Sequence, residues 1–154
     1  MDNYYDNIKE IIELSPKDFT NNKITNKKIK GHYGLLKAYA PWCGHCHRFQ
    51  DSMIFLAKGL QKHGFRVCAL NCDVKENATI AQGLLPLGDS LYFPTLFKIY
   101  PNGSIEKMNI PNREMDTLLD TICNFTNKKK CCKKVNNKLV CSRKKTVKNN
   151  SSKR

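Results

Sequence analysis

The chain has 154 residues, with 27 Lys/Arg against 13 Asp/Glu and a formal net charge of +14. Residues 127–154 hold 12 of those bases and no acid, so the first 126 residues carry 15 bases against 13 acids and are close to neutral. This pattern excludes a uniformly basic protein and describes one ordinary domain with a basic tail. No stretch approaches the roughly 20 apolar residues of a membrane span. The N-terminus (Met1-Asp2-Asn3-Tyr4-Tyr5-Asp6) has neither a basic nor an apolar leader region, so no secretory signal is expected. That points to a cytoplasmic setting. A virion or the nucleus are the alternatives, and the endoplasmic reticulum would require a missing signal.

In chain order, Ile11-Ile12-Glu13-Leu14 is short, branched and apolar, a strand. Ser15 and Pro16 suit a helix N-cap and first position, and the polar run 21–31 reads as helix end and loop. Residues 33–40 form a largely apolar central strand, interrupted by Lys37. Cys43 to His63 has helical spacing, with Cys46, Phe49, Met53, Leu56 and Leu60 near one face and Gly64 as the stop. Residues 65–70 form a strand, 77–85 a short helix and 95–100 a strand. After the turn Pro101-Asn102-Gly103, residues 104–110 form its hairpin partner. Arg113 to Phe125 is a last helix burying Met115, Leu118, Leu119 and Ile122. The order predicts an α/β domain with a mixed central sheet flanked by helices over residues 10–126. Residues 1–9 form an extension. Residues 127–154 show no sustained apolar period, which predicts a disordered basic tail.

The chemistry-bearing motif is Cys43-Gly44-His45-Cys46. Two cysteines three apart meet when the first precedes a helix and the second sits in its first turn. Unpaired N–H groups and the positive end of the helix favour thiolate over thiol at the first sulfur. Cys43 is then the exposed nucleophile and the more shielded Cys46 the resolving thiol, exchanging disulfides through a mixed disulfide on Cys43. A cationic His45 would stabilise the reduced form and make the oxidised pair more oxidising. The spacing alone leaves other readings open. A structural zinc site needs four ligands, and the second cluster, Cys131-Cys132 with Cys141, lacks the spacing. Cys43 to His47 also fits the haem-attachment pattern CxxCH, with His47 as axial ligand. The plainest reading is a pair of surface cysteines without a role.

Tyr39-Ala40-Pro41-Trp42-Cys43-Gly44-His45-Cys46 resembles the active-site sequence of protein disulfide isomerase catalytic domains, members of the thioredoxin superfamily. Further similarities follow in family order: residues 13–19 with the opening strand and helix, 70–73 with a strand end, 92–96 with the cis-proline loop and 112–114 with the start of the last helix. The resemblance implies a thioredoxin fold and a thiol–disulfide oxidoreductase acting on protein substrates, with no cofactor and no metal. It implies a cis Phe93–Pro94 bond whose backbone holds an extended substrate, an apolar rim at Trp42, and an arginine, Arg113, that approaches the resolving cysteine. Two positions depart from the family. Lys37 replaces a buried carboxylate that handles the proton of the resolving thiol. It would act as a buried amine or as a cation stabilising thiolate, slowing resolution, or simply snorkel to the rim. Asp51 replaces a helix-kinking proline, so a straighter helix is expected.

Cys68 and Cys72 read as inert packing cysteines. Cys131, Cys132 and Cys141 lie among lysines that would lower their pKa, so they read as reactive tail thiols able to form intermolecular bonds, exchange with Cys43 or accept acyl chains. The tail's charge suits a polyanion, nucleic acid or acidic membrane. It lacks the aromatics for base stacking. A redox-sensing or adaptor module docking through this tail is therefore the rival function. The recycling partner and the oligomeric state are left open by the sequence.

Overall fold

Alternating apolar runs build the sheet first. The computed structural model describes residue 3, residues 5–126 and residues 130–143; the disorder and polyanion binding expected of residues 127–129 and 144–154 lie outside them. The described chain forms two compact units, Met1–Asn109 and Ile110–Arg154.

In the first unit, β1 (Ile11–Glu13) is followed by one 3-10 turn over Pro16–Asp18. Two short strands come next, β2 (Phe19–Thr20) and β3 (Lys23–Ile24). The helix expected after Ser15 does not form. Asp18, which would extend it, turns back to accept the Ser15 N–H at 2.9 Å. Asn21 and Asn22 then take positive φ (51° and 61°), the backbone of a two-residue hairpin turn. The central strand β4 (Gly34–Tyr39) is buried at every position. It leads into α1 (Gly44–Arg48) and α2 (Gln50–Leu60), followed by β5 (Arg66–Asn71), α3 (Lys75–Leu84), β6 (Thr95–Ile99) and β7 (Ile105–Lys107). The helical segment is interrupted at Phe49 although Asp51 is no proline, so the expected straight run does not occur. Phe49 is buried, its ring 5.6 Å from the Lys37 ammonium.

The sheet order is β1-β5-β4-β6-β7. β1, β5 and β4 run parallel; β6 and β7 are antiparallel. β4 can occupy the centre because Gly34 has no side chain: a Cβ there would collide with the carbonyl of Arg66. Side chains alternate across the sheet. Leu36, Ala38, Cys68, Leu70, Phe97 and Ile99 pack with Ala81 and Leu85 of the α3 region. Leu35, Lys37, Tyr39, Val67 and Ala69 point to the other face, where α1 and α2 lie. Helices thus cover both faces of a mixed sheet, as the element order predicted.

Over residues 130–143 the second unit corrects the expectation of a disordered tail. It contains α4 (Met115–Phe125) packed against a hairpin of β8 (Lys130–Val135) and β9 (Lys138–Arg143). Asn136 and Asn137 make the turn with φ of 51° and 61°. A Cys123–Cys131 disulfide ties α4 to β8, and Cys132–Cys141 joins directly opposed residues of the hairpin. These cysteines are therefore paired with one another and are not the free tail thiols the lysine-rich sequence suggested. Lys133, Lys134, Lys138 and Arg143 are exposed on the hairpin.

The candidate disulfide-exchange site

The end of β4 delivers the chain to the site. Cys43 N-caps α1 with extended backbone (φ −81°, ψ 116°), and its sulfur accepts the N–H of Cys46 at 3.2 Å. The Cys43 thiol lies 3.5 Å from the carbonyl oxygen of Phe93, to which it donates. The Phe93–Pro94 peptide is cis and faces the cysteines, as the resemblance implied. Cys43 is 7% exposed and Cys46 0%. Burial pushes the Cys46 thiol up to about 11; the hydrogen bond and charge of Cys43 act the same way, while Lys37 pulls it down. Both sulfurs are therefore covered, Cys43 beneath the Phe93 carbonyl and Cys46 completely, so Cys43 is less open than the exposed nucleophile the motif suggests.

Trp42 is 70% exposed. Its indole N–H donates to Asp73 Oδ1 at 3.1 Å and its ring meets Phe93 edge-on at 5.8 Å. With half-exposed Tyr92, these rings give the cysteine pair an apolar border. Gly44 opens α1 beside Cys43, and a Cβ there would make only ordinary contact with Arg48. His45 is exposed, and its Nδ1 accepts from the Arg48 guanidinium. The Arg48 guanidinium thus adds a cation beside the motif. His47 donates from Nε2 to the Pro41 carbonyl at 2.8 Å, which engages the nitrogen that the haem reading required.

Lys37 does not snorkel. It is 0% exposed, under the cysteines. Its ammonium donates to Tyr5 Oη at 2.5 Å and to the Cys46 carbonyl at 3.1 Å. The rings of Tyr5 and Tyr39 lie 5.1 and 5.6 Å from it. Burial pulls Lys37 down to about 8, against the opposing pull of Cys46, Cys43 and Glu13. Two residues here escaped the sequence reading. Tyr5, from the segment taken as a plain extension, is buried against Tyr39 at 5.7 Å, edge to face. Glu13 accepts the Tyr39 hydroxyl at 2.6 Å and the Tyr5 N–H at 3.2 Å. The available signals were an aromatic pair in a polar N-terminus and an acid alternating with Ile11. Cys68 and Cys72 are buried thiols; burial raises Cys72 to about 12 and Cys68 well above its usual range, as their inert reading requires. Arg113 lies on the second unit, exposed, two residues ahead of α4.

The sequence matches the Thioredoxin family over residues 10–124. The chain belongs to the thioredoxin family. Protein disulfide-isomerase MPD1 of Saccharomyces cerevisiae is 36% identical over 99 residues, 64% of this chain and 28% of that protein. A protein disulfide-isomerase of Ricinus communis is 34% identical over 105 residues, 67% of this chain and 20% of that protein. The thioredoxin-family chain thus spans between a fifth and a third of these relatives. Among solved structures, the Trx4 domain of ERdj5 superposes with a TM-score of 0.53 at 25% identity, covering 75% of this chain and 94% of that one. The J-Trx1 fragment of ERdj5 gives 0.56 at 24% identity, covering 75% and 51%. The fold is the thioredoxin fold, with its mixed sheet and flanking helices.

Proposed function

We propose that the chain is a thiol–disulfide oxidoreductase of protein clients, working through Cys43 and Cys46. The observation that carries this reading is the sulfur pair itself: Cys43 caps α1 with a small exposed area left and accepts the N–H of Cys46, which lies fully buried one turn on. Cys43 attacks a client disulfide, a client–Cys43 disulfide forms and one client thiolate leaves. Cys46 then attacks Cys43, and the second client thiolate leaves as the Cys43–Cys46 bond closes. Run backwards, the same steps oxidise a client; stopped at the mixed disulfide, they permit isomerisation. The relatives' names support the isomerase branch. Trp42, Tyr92 and Phe93 supply an apolar border for unfolded clients, and the backbone at Phe93 and Pro94 the hydrogen-bonding edge for an extended segment. The test is catalysed reduction of insulin and reactivation of scrambled ribonuclease. The unmutated chain is expected to catalyse both and Cys43→Ser neither; equal activity of Cys43→Ser would refute the reading.

A second reading is favoured by the exposed Lys133, Lys134, Lys138 and Arg143 of the hairpin. In it these bases dock the chain on a polyanion and the cysteine domain serves as adaptor or redox sensor. Retention on heparin that falls with salt, and is lost when the four bases become glutamine, is the expected result. Unchanged retention would remove the hairpin from the proposal. The cytoplasmic setting remains a proposal as well. The two disulfides of the second unit suit it where the local redox poise is oxidising, as inside an assembling virus particle.

A further inference from the structure

The sheet register places one acid and one base on the same face. Glu13 on β1 and Lys37 on β4 both pair with Ala69 of β5. Two strand spacings put their backbones about 10 Å apart, and the small Ala69 side chain leaves the space between them to the two long side chains. Tyr5 serves both, giving its N–H to Glu13 Oε2 and accepting the Lys37 ammonium on its hydroxyl. The other oxygen, Glu13 Oε1, is buried without a hydrogen-bond partner among the described residues. Lys37 in turn reaches the Cys46 carbonyl. A line of groups therefore runs from Glu13 to the resolving cysteine.

We infer that Glu13 is a positioning residue for the resolving step: its carboxylate keeps Lys37 protonated, and the Lys37 cation favours the Cys46 thiolate. The inference rests on the Cys43–Cys46 exchange proposed above. Cys46 loses its proton to water, its sulfur attacks Cys43, and the leaving thiolate carries away the electron pair. Lys37 is faced by Glu13, Cys43 and Cys46, which raise it against burial. Glu13 is pushed up to about 7 by burial and by Asp6, and pulled down by Tyr39, the Tyr5 N–H and Lys37. The acid is thus ionised above about pH 7 and the base below about pH 8, so both charges coexist between the two.

Two routes from Glu13 to Cys46 differ in sign. A direct effect of removing a negative charge makes Cys46 easier to ionise. An effect through Lys37 makes it harder, because the lysine loses its proton more readily. The experiment loads Cys43 with 5-thio-2-nitrobenzoate and follows release of the coloured thiolate by Cys46 from pH 6 to 9. Glu13→Gln, which retains an acceptor for Tyr39, is expected to slow release about threefold or more near pH 7.5. The same change in a Lys37→Met background is expected to alter it by less than about 1.5-fold. Glu13→Asp, which keeps the charge, is expected to restore most of the rate. Faster release in Glu13→Gln, equal effects in both backgrounds, or no rescue by Asp overturns the inference while leaving the exchange intact. Absence of Cys46-dependent release in the unmutated chain overturns the exchange reading along with it.

Discussion

Cys46→Ser is expected to lower turnover on insulin by roughly 100-fold or more while leaving the first attack by Cys43 in place. The reason lies in which sulfurs can reach a Cys43 adduct. The Cys46 N–H already lies 3.2 Å from Cys43 Sγ, one helical turn away. No other free thiol among the described residues is suited to replace it. Cys68 is buried on the opposite face of the sheet, in the cluster with Leu36 and Phe97, and Cys72 is buried with its thiol raised to about 12. Serine is a far poorer nucleophile toward a disulfide than thiolate, so the client stays attached. Single-turnover kinetics separate the two halves: uptake of a client by Cys46→Ser within a few-fold of the unmutated rate, then no intramolecular release.

Lys37→Met is expected to make the protein more stable and its resolving step slower. Burial that pulls the lysine from 10.5 to about 8 corresponds to a cost of about 3 kcal/mol for keeping it charged in the folded state. Methionine fills similar space without that cost, but leaves the Tyr5 hydroxyl and the Cys46 carbonyl without this donor, a loss of about 1–2 kcal/mol. The net gain at pH 7 is then about 1–2 kcal/mol, or a Tm higher by several degrees. The sign follows from linkage. A lysine whose folded pKa is depressed binds fewer protons folded than unfolded between about 8 and 10.5, so the unmutated protein gains stability as pH rises through that window. The variant's advantage is therefore full below pH 8, falls as pH rises through the window and reverses within it, at about pH 9. Melting at pH 7 and pH 10 checks this; a variant less stable at pH 7 would show that the lysine is not held at a cost. Loss of the cation also removes the pull that lowers Cys46, so release of a Cys43 adduct slows. On the proposed exchange mechanism the residue trades stability for the resolving step, a pattern common where charge is buried at a working site.

The fold was legible where pattern and local chemistry agree. The apolar run of residues 33–40 and the turn at Pro101-Asn102-Gly103 each gave the element the structure contains, and the spacing from Cys46 to Leu60 gave the helical stretch but not its break at Phe49. The cysteine pair was legible because the spacing, read together with the resemblance of residues 39–46, puts one sulfur at a helix start and the other a turn inside. The Glu13–Tyr5–Lys37 group was not. It depends on which strands pair with β5 and on a buried aromatic from the N-terminal segment, and neither is a local property. The two hairpins were missed through one dipeptide. Asn21-Asn22 and Asn136-Asn137 adopt the same pair of positive φ angles, yet both lie in polar, lysine-rich sequence that resembles loop. In the second hairpin, the lysines that suggested a solvated tail sit on strands joined by the Cys132–Cys141 bond, with α4 tied on through Cys123–Cys131.

The most direct test of the account is to map the disulfide that Cys46→Ser retains after mixing with an oxidised client protein. Peptide mass spectrometry under non-reducing conditions is expected to find the client joined to Cys43 in nearly every trapped molecule. A client joined instead to Cys68, Cys72 or a hairpin cysteine, or no trapped client at all, would contradict it.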